Sequence, residues 1–224
     1  MLRTIIAPLL VLGSAVLQQI AAVQRWTSAA PAEGERSIED HLFDYVFPAD
    51  PWVPVGAAAE LAGVAYLLLA CGVGFVVFAG GRRCPIGSLA AVPVIGWFLY
   101  VGGHALLSGI LGVPSALFNP AVAVGLGTLA VAGLVVLAAA VGRRSSATAV
   151  AFILLLGLTW PGYVVAAFVI APVVAGYQSY DTTPWTESIG AAATAAAGVG
   201  LLFSALLKKN TDIPLSRAAG RVDS

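Results

Sequence analysis

Charge is scarce in this chain, because 11 basic and 11 acidic residues make up only 10% of its 224 residues. An ordinary soluble domain carries about 25% charged residues. Hydrophobic residues make up 59% of the chain, and the mean hydropathy is +0.94. A soluble fold could not keep so much apolar surface away from water, so the composition predicts an integral membrane protein. The formal net charge is zero, so there is no electrostatic reason to expect nucleic acid as a partner.

Cysteine and histidine are rare as well, with two residues of each. Cys71 lies inside an apolar run and Cys84 follows two arginines, so a disulfide framework is not expected. His41 and His104 are far apart in the chain, and the sequence contains no HExxH motif, no ligand quartet and no P-loop. We therefore predict no metal, no cofactor and no enzymatic activity.

Six stretches are long and apolar enough to cross a bilayer, which takes about 20 residues per helix. They lie near residues 4–23, 54–80, 87–112, 120–142, 148–176 and 188–207. Backbone groups in lipid must be hydrogen-bonded internally, so each stretch is predicted to be a helix. The first is longer than the apolar part of a signal peptide, and we expect a retained anchor. The sequence predicts an all-α integral membrane protein with a six-helix transmembrane bundle in residues 1–207.

The basic residues indicate how the bundle is oriented. Nine of the eleven lie at the ends or turns that six spans would place on one side: Arg3, Arg82, Arg83, Arg143, Arg144, Lys208, Lys209, Arg217 and Arg221. Only Arg25 and Arg36 fall on the other side. Because basic residues are kept in the cytoplasm, we predict a multi-pass protein of the inner (plasma) membrane with both termini cytoplasmic. The tail, residues 208–224, is predicted to be disordered.

Acidic residues concentrate in the long loop of residues 24–53, which this topology places outside the cell. Five of the eleven lie between Glu35 and Asp50. Ser37 with Asp40 three residues later resembles a capping box, which predicts a short amphipathic helix. Its apolar face would consist of Ile38, Leu42, Tyr45 and Val46. We expect this helix to lie on the membrane surface or on a partner protein.

A metal site is the alternative reading of the same loop. His41 has Glu39, Asp40 and Asp44 as neighbours, but adjacent residues on a helix point about 100° apart. The acidic side chains are also tolerated outside the cell without any function. We therefore favour a docking surface, with Leu42 and Tyr45 as contacts with a partner or with neighbouring helices.

Two ionisable residues fall inside the spans, which makes them functional candidates by default. Glu60 and His104 lie at similar depth in neighbouring spans, and a pair of them could relay a proton or bind a cationic group. Local hydrogen bonding near the interface is the favoured alternative for both. Glu187 and Gln18 lie near the ends of their spans and are expected to be solvated or interfacial.

Small residues and aromatic residues form two further patterns. Gly190, Thr194 and Gly198 recur every four residues, which is typical of close helix packing within one bundle or against another subunit. Two WxxY motifs follow the two GRR turns and place Trp97 with Tyr100 and Trp160 with Tyr163. They would form aromatic shelves in duplicated hairpins, although chance explains the repeat equally well. Pro93 and Pro161 are expected to kink their helices.

The segments "MLRTIIAPLLVLGSAVLQQ" and "DPWVPVGAAAELAG" resemble the LucB-type accessory membrane subunits of Mce-type lipid importers. The arginine-, alanine- and valine-rich composition is typical of a GC-rich genome such as that of an actinobacterium. The resemblance implies a subunit that docks beside a lipid-importing ABC permease, and it carries over no functional residue. We therefore predict a non-catalytic accessory subunit whose partners are other membrane proteins and lipids. A small carrier or channel using Glu60, His104 and the aromatic shelves is the first alternative, and a lipid-modifying enzyme is the second.

Overall fold

The computed structural model describes residues 2–28, 40–78, 85–142, 145–177 and 182–211, and these ranges contain helices and no strand. The long helices are α1 (Leu2–Ser28), α2 (Ala58–Phe78), α3 (Pro85–Leu111), α4 (Pro120–Gly142) and a final helix, α8 (Thr186–Thr211). Between α4 and α8 lie three short helices, α5 (Ser146–Leu154), α6 (Trp160–Val165) and α7 (Ala171–Ala175). The prediction of an all-α protein is confirmed for the described residues.

Five helices are long and apolar enough to cross a membrane, namely α1, α2, α3, α4 and α8. Helices of 21 to 27 residues reach about 32–40 Å, and the hydrocarbon core is about 30 Å thick. Large apolar side chains such as Leu89, Val124 and Val173 are exposed on the outside of the bundle. These lengths and surfaces belong to a multi-pass membrane protein.

The helices close into a ring in chain order. Each of α1, α2, α3, α4 and α5 packs against the next helix in the series α1–α2–α3–α4–α5–α8, and α8 returns to α1. The centre of the ring is filled by large buried side chains, including Phe98, Leu134 and Phe152. Helix ends follow from local chemistry. Asn119 caps α4 by accepting hydrogen bonds from the amides of Ala121 and Val122.

Residues 146–175 form one bent unit instead of the continuous span predicted at 148–176. A 3-10 segment (Leu155–Leu158) ends α5, and the axis then turns by 74° into α6. A π-helical segment (Ala166–Ile170) joins α6 to α7. The expected kink at Pro161 is thus a complete break, whereas α3 continues as one helix through Pro93.

Contacts at the two ends of this unit show where it leads. Before α5, the Ser145 hydroxyl lies 2.7 Å from that of Ser204, near the far end of α8. After α7, the chain reaches Glu187 in the first turn of α8, beside Arg25 in the last turn of α1. The chain therefore passes from one end of α8 to the other between Ser145 and Glu187. This path fits a broken crossing and not a loop that returns to its own side.

Residues 40–57 cover one end of the ring, and we call the half of the bundle next to them the loop half. In the described residues, a single 3-10 turn (Asp40–Phe43) stands where the amphipathic helix was predicted. Ser37 and Ile38 lie outside the described residues. Tyr45 is only 2% exposed, because it packs on Ala21, Ala59 and Ala62. The side chain of Tyr45 thus packs on α1 and α2 inside the chain, which is the helix-packing alternative of the prediction.

Candidate functional site

A cavity of about 240 Å³ lies in the loop half, at the break between α5 and α6. Side chains from α1, α2, α3, α6, α8 and the loop contribute to its walls. The lining is mostly apolar and aromatic, and it includes Gln18, Tyr45, Phe47, Ala62, Tyr66, Trp97, Trp160, Tyr163, Val164 and Glu187. Elements that are distant in sequence thus meet around one space.

The break itself is built by a proline, a threonine and two glycines. Pro161 supplies no amide hydrogen, so the helix cannot continue through it unchanged. Thr159 satisfies the broken turn, since its amide (3.0 Å) and its hydroxyl (2.6 Å) both donate to the Leu156 carbonyl. A Cβ on Gly162 would lie 2.6 Å from the Cα of Gly157 and would overlap the Leu156 oxygen. Only glycine therefore fits at position 162.

Two tryptophans form one wall of the cavity. Trp97 and Trp160 both approach Gly127 in α4, where a Cβ would stand 3.0 Å from a ring atom of each. The Trp97 indole donates a hydrogen bond of 3.1 Å to the Leu158 carbonyl, which satisfies a backbone group at the break. The ring of Phe47, from the loop, lies 5.8 Å from that of Trp97. Contacts of aromatic side chains thus join the loop, α3, α4 and the broken unit.

The structure brings together three of the four aromatic residues that the sequence singled out. Trp97, Trp160 and Tyr163 all line the cavity. Tyr100 does not, because its hydroxyl accepts a hydrogen bond from the Asn119 amide at 2.9 Å. The two WxxY motifs also differ in setting, since the first lies in an unbroken helix and the second at the break.

The other wall carries the polar groups. Gln18 is buried and donates to the Ser14 hydroxyl at 2.9 Å. Tyr45 and Tyr66 are 2% and 7% exposed. Among the described residues, neither tyrosine hydroxyl has a hydrogen-bond partner. Burial raises the pKa of Tyr45 well above its ordinary value, and the nearby Glu187 carboxylate raises it further, so this hydroxyl keeps its proton.

A buried charge cluster lies beside this wall. Arg25 is 2% exposed and donates to the carboxylates of Asp44, at 2.6 Å, and of Glu187. The Trp26 indole donates to the second oxygen of Glu187 at 2.9 Å. Arg25 lies in the last turn of α1 and Glu187 in the first turn of α8, where the helix dipoles favour these signs. The cluster joins the loop, α1 and α8.

Sequence reasoning missed this cluster. Glu187 was expected to be solvated, but its side chain is only 7% exposed. The available signal was Arg25, one of the two basic residues that the predicted topology places on the outer side. An arginine buried in a membrane protein is usually paired with an acidic group. The acidic loop supplies one in Asp44.

Glu60 and His104 are not paired with each other. The His104 ring donates to the Pro48 carbonyl at 3.1 Å and accepts from the Ser115 hydroxyl at 2.7 Å, which ties two loops to α3. Glu60 packs against Gly109, where a Cβ would lie 2.6 Å from the carboxyl carbon of Glu60. Neither residue lines the cavity. The hypothesis of a Glu–His relay is therefore not supported by their positions.

The stripe of small residues on α8 packs inside the chain. A Cβ on Gly198 would lie 2.8 Å from the side chain of Leu12 on α1, and one on Gly190 would lie 3.1 Å from Leu158. The Thr194 hydroxyl donates to the Gly190 carbonyl at 2.9 Å. These contacts correspond to packing within one bundle, which was one of the two alternatives predicted for this stripe. Leu42, the other expected partner contact, is half-buried.

The described residues contain no group of three or more histidine, cysteine, aspartate or glutamate side chains that could hold a metal ion. No protein-family model matches this chain, and the comparisons with curated proteins and with solved structures found no match either. The site must therefore be interpreted from its own chemistry.

Proposed function

We propose that this protein is a non-enzymatic membrane subunit that holds one apolar, lipid-like chain in its loop half during lipid uptake. The observation that carries the proposal is the cavity at the broken helix. Irregular backbone at membrane depth is tolerated where it is buried in protein or lines a cavity. Broken helices in membrane proteins often form binding sites for this reason.

The size and lining of the cavity select the ligand class. An apolar cavity of about 150 Å³ already holds benzene, and drug-sized ligands occupy about 300–1,000 Å³. The cavity of about 240 Å³ therefore suits a single short alkyl chain, and it is too small for a two-chain phospholipid. The lining is dominated by Trp97, Trp160, Phe47 and Val164, which favours hydrocarbon.

Non-catalytic action fits the state of the one carboxylate that lines the cavity in the described part of the chain. Glu187 is fully engaged with Arg25 and Trp26, so it is poorly placed to act as a base or nucleophile. In the proposed topology, the unit from α5 to α7 is the fifth of six crossings and the loop half faces outward. The cavity then lies where an imported lipid would arrive.

Photolabelling tests the binding site. A medium-chain alkyl diazirine without a head group is added to the protein in nanodiscs, and mass spectrometry maps the labelled peptides. We expect labelling at the cavity wall around Trp97 and Trp160. Val164→Phe should reduce it several-fold because a larger side chain fills the cavity, whereas Val165→Phe should not. Val164 and Val165 are 46% and 48% exposed, but only Val164 lines the cavity.

Co-purification separates the accessory role from the carrier. A tagged copy extracted from native membranes in mild detergent should bring down larger membrane subunits at a fixed ratio. A homo-oligomer running alone would favour a small carrier, which the broken crossing also suits. If Val164→Phe and Val165→Phe were labelled equally, neither the accessory role nor the carrier role would be supported by the cavity.

A further inference from the structure

The cavity has a polar end that the protein itself does not satisfy. Buried tyrosine hydroxyls usually have a hydrogen-bond partner. The hydroxyls of Tyr45 and Tyr66 have none among the described residues, yet both side chains are at least nine-tenths buried and line the cavity. Tyr45 packs on Ala62, which lies one turn before Tyr66 on α2, and Glu187 lines the same cavity. The two donors therefore lie on the same polar wall.

The charges around this wall decide which head group it can accept. No lysine or arginine lines the cavity within the described residues. The nearest guanidinium, Arg25, is already bound to Asp44 and Glu187. A carboxylate or phosphate head group would lie beside Glu187 with no cation to neutralise it, and burying an unpaired charge is costly. An uncharged oxygen acceptor meets no such penalty.

We propose that the cavity binds a single-chain lipid with an uncharged oxygen head group, such as a fatty alcohol or a monoacylglycerol, and that Tyr45 and Tyr66 donate hydrogen bonds to it. This inference rests on the proposed function, since it assigns the head group of the chain that the cavity holds. The alkyl chain lies along the tryptophan wall and the oxygen between the two hydroxyls. Binding of such a head group would give the Tyr45 and Tyr66 hydroxyls the hydrogen-bond acceptor that the described residues do not supply.

Competition against the alkyl diazirine tests the inference. Four competitors share one chain length and differ in the head group: an alcohol, a carboxylate, an amine and a plain alkane. We expect the alcohol to compete best with the wild-type protein. Tyr45→Phe and Tyr66→Phe should each weaken the alcohol by about fivefold, the effect of one buried hydrogen bond. Competition by the alkane should be unchanged in both variants.

Tyr100→Phe is the matched control, because its hydroxyl is hydrogen-bonded at Asn119 outside the cavity. Alcohol competition should be unaffected by this variant. The inference is overturned if the carboxylate or the amine competes better than the alcohol, or if neither cavity tyrosine variant weakens the alcohol. If the diazirine labels the cavity in those cases, the proposed function survives. If it does not label the cavity at all, both proposals fail.

Discussion

The two halves of this bundle use the same ring of helices in different ways. The half away from the loop is filled by apolar side chains such as Val94, Leu137 and Phe152, which are almost fully buried. The loop half buries Arg25 with its carboxylate partners, carries His104, and keeps a cavity open at the broken helix. Buried charge and empty space both cost stability. These costs in the loop half support our proposal that the binding site lies there, because departures from tight apolar packing are expected at functional sites.

Of the changes proposed here, replacing Arg25 should destabilise the loop half most. Arg25→Met leaves Glu187 buried without its cation, and such a loss typically costs about 3–5 kcal/mol. We expect a clear drop in the midpoint of thermal unfolding in detergent, together with faster hydrogen exchange in residues 44–57. The second readout distinguishes a loosened loop from a general loss of packing.

The double variant Arg25→Met with Glu187→Met is the control for this prediction. Replacing both charges by apolar side chains removes the unpaired group, and such replacements are often neutral. Most of the lost stability should therefore return, while Asp44, which is 29% exposed, can be solvated. A single variant as stable as the wild type would mean that the cluster does not hold the loop half together.

The second-largest effect is expected from a substitution at the break between α5 and α6. Gly162→Ala introduces a Cβ that collides with Gly157 and the Leu156 carbonyl, and overpacking of this kind costs about 1–3 kcal/mol. We expect lower thermal stability and reduced diazirine labelling, because the bend must open to relieve the collision. Gly125→Ala on α4 is the matched control, since a Cβ there meets nothing within 4 Å. Equal effects of both changes would show that the bend tolerates a side chain.

Hydropathy was sufficient to predict most of the scaffold and little of the site. The stretch at residues 120–142 coincides with α4, because Asn119, Pro120 and the following apolar run define a helix locally. The break at Pro161 was predicted only as a kink, since its angle depends on how Gly157 and Gly162 meet. Helix α1 continues past the predicted span near 4–23 to Ser28, and Arg25 in its last turn is paired with Asp44 and Glu187.

Long-range contacts explain what sequence reasoning could not supply. Arg25 and Glu187 are separated by 162 positions, so only the closure of α8 onto α1 brings them together. Trp97 and Trp160 were singled out for their spacing, yet their common wall depends on Gly127 in a third helix. Tyr66 belonged to none of the sequence patterns that indicated candidate residues. Its importance follows from burial next to a cavity, which is a property of the assembled fold.

The smallest effect is expected in the half away from the loop. There the Ser145 hydroxyl contacts both Ser204, at 2.7 Å, and Thr148, at 2.9 Å. Ser204→Ala removes one partner, but Ser145 and Thr148 keep each other, so the cost should stay at or below about 1 kcal/mol. Thermal unfolding should shift slightly, and diazirine labelling of the cavity should not change. A loss of labelling in Ser204→Ala would mean that the two halves are coupled through α5, and the functional separation between them would have to be abandoned.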